Sequence, residues 1–398
     1  MVQFLKIEEP PRAPVTVQGF ALWQLGFRPF YLLASSFAAV SIALWALQFA
    51  GWLKGAYLRG PIWHAHEMLF GFTLAVVVGF LLTAGRNWSN RPTITGAPLA
   101  ALAGLWLAGR VLVLTPWGWA AAIVNVAFPL AAALALGVPF FAARNKRNYF
   151  FVGLLVLLAL AQLCVHLGEL GVLRLPGWVG VQLGLDVVLF IMAVMGGRVI
   201  PMFTNNGVPG ARATRRPWLE KTVLGSVLAL LAADVLQLGG VGLALLCAFC
   251  ALAQLARWWL WQPARTWRVP LVWVLQLAYL WIPVHLLLRS FAALGLVAPS
   301  VATHALTAGA IGGLVIGMMT RTARGHTGRP LRAGRADVAC YVLLALAALL
   351  RVGLPLVAPA QTIHAVVAAA TLWSAGFAVY AIAYWPVLTR PRLDGRPG

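Results

Sequence analysis

The sequence predicts an all-α membrane protein, a bundle of about twelve transmembrane helices, and three observations predict it. Apolar residues make up 62% of the 398 and charged residues only 10%, with a mean hydropathy of +0.86, a balance that ordinary soluble domains do not show. The apolar residues gather into runs of about twenty, the length that crosses a hydrocarbon core. The thirty Lys and Arg, against nine acids, fall in short loops between these runs rather than on one amphipathic surface. A net charge of +21 distributed in this way describes loop topology. The expected partner is therefore the lipid bilayer, and no nucleic acid is expected.

In chain order the spans cover roughly 30–52, 62–84, 97–115, 118–142, 149–171, 178–200, 220–238, 240–258, 269–291, 302–320, 337–357 and 363–387. Residues 1–29 read as a cytoplasmic N-terminal segment, made polar by Glu8, Glu9 and Pro10, and the first apolar run is long enough to stay in the membrane rather than be cleaved as a signal. Residues 30–388 form a single transmembrane domain and 389–398 a cytoplasmic tail. Links such as Pro116–Trp117 and Leu238–Gly239 are so short that the flanking spans must be antiparallel hairpins.

Basic residues then fix the direction. The loops after the even-numbered spans carry, for example, Arg144, Lys146 and Arg147, or Arg321, Arg324, Arg329, Arg332 and Arg335. With the two termini they hold twenty-four of the thirty cations. Lys54, Arg59 and Arg174 lie in the other loops, with Arg110, Arg289 and Arg351 near span ends. Both termini are therefore expected in the cytoplasm. Trp52, Trp63, Trp117, Trp119 and Trp178 would form an outer aromatic belt, and Trp88, Trp218, Trp258 and Trp267 an inner one. Cys164, Cys247, Cys250 and Cys340 all fall within spans and read as small buried hydrophobes rather than ligands.

In this topology six of the seven histidines (His64, His66, His166, His285, His304 and His364) lie within roughly 10 Å of the outer interface. Ionisable groups inside a bilayer are costly and mark function, and convergent imidazoles suit haem iron or copper. His64 and His66, two apart on a helix, point in nearly opposite directions and so have separate duties. His64 shares a face with Met68, a pair that suits copper, and Glu67 is placed to orient a ligand. The plain alternative is a set of interfacial polar residues capping the helix. His304 opens a helix bearing Gly309, Gly313 and Gly317, a ladder that permits close helix packing or leaves room for a flat macrocycle. His166 shares a face with Glu169, while His285 and His364 are further candidate metal ligands. At the inner side, Arg198, Arg321 and His326 sit in polar, glycine-punctuated exits that either bind an anion such as a haem propionate or simply anchor the helices. Asp186 and Asp234, within spans, either move protons or pair with buried polar groups.

The segment from His66 to Pro92 aligns without gaps to that from His304 to Pro330, with seven identities that include the histidine, two glycines and the closing Arg-Pro. The offset of 238 is twice 119, and His166 and His285 are also 119 apart. Three repeats of four helices would account for this, and they rank His66 and His304 first as axial haem ligands. In architecture such a bundle resembles the catalytic subunit of the haem–copper oxidases and nitric oxide reductases, but the paired histidines expected at the start of their seventh span are absent.

Several strings carry a closer resemblance. They are Leu25-Gly-Phe-Arg28-Pro29-Phe30, Trp63-His64-Ala-His66-Glu67-Met68, Gly197-Arg198-Val-Ile-Pro201, His304-Ala-Leu-Thr, and Thr320-Arg321 through Gly325-His326-Thr-Gly328-Arg329. Together they resemble the NnrS family of polytopic, haem- and copper-containing membrane proteins associated with the bacterial response to nitric oxide. The resemblance implies a multi-pass protein of the bacterial inner membrane, b-type haem, copper, nitric oxide or a related small ligand, and an electron donor. It leaves turnover, sensing and sequestration of nitric oxide all open. A multi-span transporter, or a haem- or copper-handling protein without redox chemistry, is the competing reading, against which stands the segregation of the histidines to one surface.

Overall fold

The computed structural model describes residues 19–395 apart from Lys54. The polar segment with Glu8, Glu9 and Pro10 lies outside the described residues, as do Lys6, Arg12 and Arg396. Among the described residues the chain is helical throughout, with no strand. The helices are α1 (Phe27–Phe49), α2 (Gly60–Ser89), α3 (Gly96–Leu112), α4 (Gly118–Ala142), α5 (Tyr149–Glu169), α6 (Gly177–Gly207), α7 (Pro217–Val235), α8 (Gly240–Trp259), α9 (Pro270–Ala293), α10 (Pro299–His326), α11 (Arg335–Val357) and α12 (Thr362–Thr389). Ten are long and apolar enough to cross a membrane. The other two are α3, with 17 residues, and α7, which carries Glu220, Lys221 and Asp234.

Each helix packs on its successor and α12 returns to α1, so the bundle closes on itself. The centre is held by α2 and α6, each with 78% of its apolar stretch inside; helices that are apolar on every side belong in such a position. The outer sides of α4, α8 and α12 expose Ile123, Leu134, Leu245, Leu252 and Ile382. That is a surface for acyl chains rather than water. Trp52, Trp117, Trp119 and Trp178 at one end, and Trp218 and Trp267 at the other, are exposed as belt residues should be. Trp63 is not: it is buried against Leu58, Val113 and Ala121.

Two helices run furthest beyond the expected spans. α6 continues through Pro201 to Gly207, because Ile200, Pro201 and Thr204 extend its buried face and the Thr204 hydroxyl bonds the Ile200 carbonyl at 2.9 Å. α10 continues to His326, so the polar exits expected as loops are helical turns.

Both α2 and α10 change pitch near their starts. Each opens with a short α-helical stretch ending in a histidine, His66 or His304, and then winds as a seven-residue π-helix, Glu67–Thr73 or Ala305–Ile311. In the first, the Leu74 amide reaches back to the Leu69 carbonyl and the Thr73 hydroxyl to the Met68 carbonyl at 2.8 Å, both five residues away. In the second, the Gly312 amide reaches Thr307. Long π segments are rare and concentrate at functional sites.

The glycine ladder of α10 serves helix packing. A Cβ on Gly313 would stand 2.6 Å from that of Ala278, and one on Gly317 2.7 Å from the Leu275 side chain, while Gly309 faces the Trp281 ring. All three neighbours belong to α9, so these glycines let α9 and α10 approach closely and leave no space for a macrocycle on that face.

Candidate functional site

Helix geometry sends the two histidines of α2 to separate places. His64, near the start of α2, turns toward the start of α10, where its ring lies parallel to that of His304, with centroids 6.5 Å apart and planes inclined by 12°. The sequence expectation ranked His66 with His304 as axial ligands, whereas the ring that lies beside His304 is that of His64. The one-in-two spacing puts His66 on the far side of the helix, and the chain meets α10 through His64.

His64 and His304 stand in a cavity of about 580 Å³, within the range of cofactor and ligand sites. It lies between α1, α2, α6, α10, α11 and α12, and most of its wall is apolar: Ile42, Leu69, Phe72, Leu185, Ile311 and Trp373. Met68 shares this wall with His64, as their spacing predicts, and its sulfur accepts a hydrogen bond from the Ser41 hydroxyl at 3.5 Å. The imidazoles are oriented from behind. His304 Nδ1 donates to the Ser300 carbonyl at 2.6 Å, which leaves Nε2 with its lone pair. The His64 ring stacks on Trp45 at 4.8 Å, and its Nδ1 is buried without a protein partner. Arg351 and Gln182 add the polar groups that sequence reading did not place here.

The second pair, His66 and His166, meets edge to face at 4.9 Å between α2 and α5. Both rings are fully buried. Glu67 accepts from His66 Nδ1 at 2.8 Å, and its same oxygen accepts from Arg110 at 2.7 Å. Arg110 also donates to Asn125, and Gln162 approaches His66 Nε2 at 3.2 Å. The carboxylate therefore fixes the proton on Nδ1 and leaves Nε2 as the acceptor. His166 has neither ring nitrogen engaged, although its ring stacks on Tyr57. Glu169, expected to couple with His166, is exposed at the end of α5 instead, so the carboxylate that reaches an imidazole is Glu67.

The other candidates lie elsewhere. His285 is buried with Nδ1 on the Ala302 carbonyl at 2.7 Å, and His364 is exposed on the first turn of α12. Arg198, Arg321 and His326 are all at the opposite end of the bundle. Arg198 donates to Asn148 at 3.1 Å, Arg321 lies over the Phe203 ring at 3.7 Å, and His326 packs on Phe27 at 5.7 Å. Cys247 and Cys250 are buried free thiols. Arg110, Asn125 and Gln162 were missed from sequence. The available signal was one arginine and two amides inside otherwise apolar runs.

Among the described residues, no three of His, Cys, Asp and Glu converge closely enough to hold a metal ion unaided. The sequence model of one family, described as NnrS protein, matches residues 21–392. The chain therefore belongs to the NnrS family. No curated protein matches it.

Proposed function

We propose that this member of the NnrS family holds a haem between His64 and His304 in the bacterial inner membrane and acts in the response to nitric oxide. The observation that carries the reading is the pair of parallel imidazoles facing each other across the apolar cavity. With their nitrogens turned toward one another, two imidazoles share one metal ion at a centroid separation of about 6 Å, from metal–nitrogen bonds of about 2 Å and a further ~1 Å to each ring centre, and the 6.5 Å found here is on that scale. A porphyrin supplies four nitrogens of its own, so two protein donors suffice where three convergent ligand residues are lacking. The free Nε2 of His304 fits that demand.

When bound, the haem would supply an iron that exchanges electrons. The protein's own residues do the rest. Ser300 and Trp45 hold the two rings in position, Arg351 offers a cation to a carboxylate, and the mostly apolar wall admits a small membrane-soluble molecule such as nitric oxide. His66 and His166, with Glu67 behind the first, are the donors we assign to copper, which imidazole suits. The charge distribution supports both termini in the cytoplasm and hence both histidine pairs near the periplasmic face. The π-helices support an internal repeat, since Glu67–Thr73 and Ala305–Ile311 are offset by the same 238 residues as the aligned sequences.

The test is an absorption spectrum with metal analysis of the purified protein. A Soret band that is lost in His64→Ala and His304→Ala, and retained in His66→Ala, is expected. Copper should follow His66 and His166. Absence of haem from protein made in haem-replete cells would sink the reading.

A further inference from the structure

Among the described residues, the buried and part-buried carboxylates with an arginine partner each have their own, with one exception. Glu67 has Arg110, Glu220 has Arg257, and Asp337 has Arg324. Asp186 of α6 and Asp234 of α7 share a single guanidinium, that of Arg289 on α9: Asp186 lies 3.5 Å from one of its nitrogens and Asp234 accepts from the other. Asp186 is 2% exposed and Asp234 8%. Each has its second oxygen buried without a partner. The other titratable groups nearby supply no second cation. Cys247 of α8 is a thiol, and His285, one turn before Arg289, has its Nδ1 on the Ala302 carbonyl. Two ionised carboxylates would leave one negative charge uncompensated inside the membrane-spanning bundle, and groups so placed take up a proton instead.

We propose that Asp186 and Asp234 share one exchangeable proton and form a proton-loading site for the His64–His304 cavity. Asp234 is the penultimate residue of α7, beside the short turn to α8, and can be recharged from interfacial water. Asp186 faces the other way: Gln182, which lines the cavity, donates to it at 3.0 Å, and its neighbour Leu185 is also part of the cavity wall. A proton leaving Asp186 for water in the cavity takes the cluster from neutral to one negative charge, and a proton entering at Asp234 restores it. No bond other than these O–H bonds forms or breaks. The delivery step rests on the proposed role of the cavity; the stored proton does not.

The test is infrared spectroscopy of the purified full-length protein at neutral pH in H2O and D2O, reading the carbonyl stretch of protonated carboxylic acid. Wild type should show a deuterium-sensitive band. Asp186→Asn and Asp234→Asn should each abolish it, because either change leaves one carboxylate for one guanidinium. Arg289→Gln should increase it, both acids then being protonated. Absence of the band from wild type, or its survival in both asparagine variants, overturns the proposal. Delivery is read separately as a redox-induced change in the band, expected in haem-loaded wild type and lost in Gln182→Leu. The band without the redox response would overturn delivery, and the band in protein that takes up no haem would show that the cavity reading, not the stored proton, had failed.

Discussion

Replacing Arg110 by methionine tests the polar frame behind His66. Its guanidinium donates to Glu67 at 2.7 Å and to Asn125, and Arg110 and Glu67 are 6% and 1% exposed. Methionine keeps the length and apolar stem but leaves Glu67 as an uncompensated buried carboxylate, a change that costs about 3–5 kcal/mol. Glu67→Gln leaves the guanidinium stranded at a similar cost. In the double variant neither charge remains, and a loss of only about 1–3 kcal/mol is expected, from imperfectly paired amides. The coupling between the two sites should therefore exceed about 2 kcal/mol. The assay is thermal or denaturant unfolding in detergent, followed by tryptophan fluorescence, for wild type, both single variants and the double. Single-variant losses below about 1 kcal/mol, or losses that simply add in the double, would refute the argument that the pair is bound by mutual charge compensation.

Gly313→Val sets a branched side chain against Ala278, whose Cβ is 2.6 Å from the position a Cβ would take. A loss of about 1–3 kcal/mol in unfolding is expected, partly restored by Ala278→Gly. Tyr279→Phe removes the hydroxyl that bridges Arg257 and Gln254 in the fully buried cluster beneath Trp261, and melting should report about 1–3 kcal/mol. Trp45→Ala removes the ring stacked on His64; haem should dissociate faster from this variant. His364→Ala, on an exposed turn, should leave both the spectrum and the melting point unchanged.

The sequence carried the helices well where length and apolarity decide them. α4 occupies the expected 118–142, and α11 ends at the expected Val357. It carried less at α6 and α10, where polar residues sit on continuing helical turns whose buried faces are interrupted by proline or glycine. The separation of His64 from His66 was legible, because it follows from 100° per residue. Their partners were not. No residue pattern marks a π-helix, and the partner of a buried carboxylate is chosen by helices distant in sequence: Glu67 finds Arg110 of α3, not a residue of its own helix. The misplaced Glu169 has the same origin, since correct spacing along α5 says nothing about which neighbour covers that face.

A π-helix holds one residue more than the α-helix it interrupts, and the segments Glu67–Thr73 and Ala305–Ile311 absorb that residue in their wider turns. Deleting one residue from either would let the helix run as plain α with the histidine-bearing cap turned only a little relative to the rod below. Plain α winding at unchanged length would instead turn the cap by about 100° and sweep its imidazole away from the opposite one. Substitution changes what stands at the cavity; the local pitch of these fourteen positions sets which way each cap looks, without any ligand being altered.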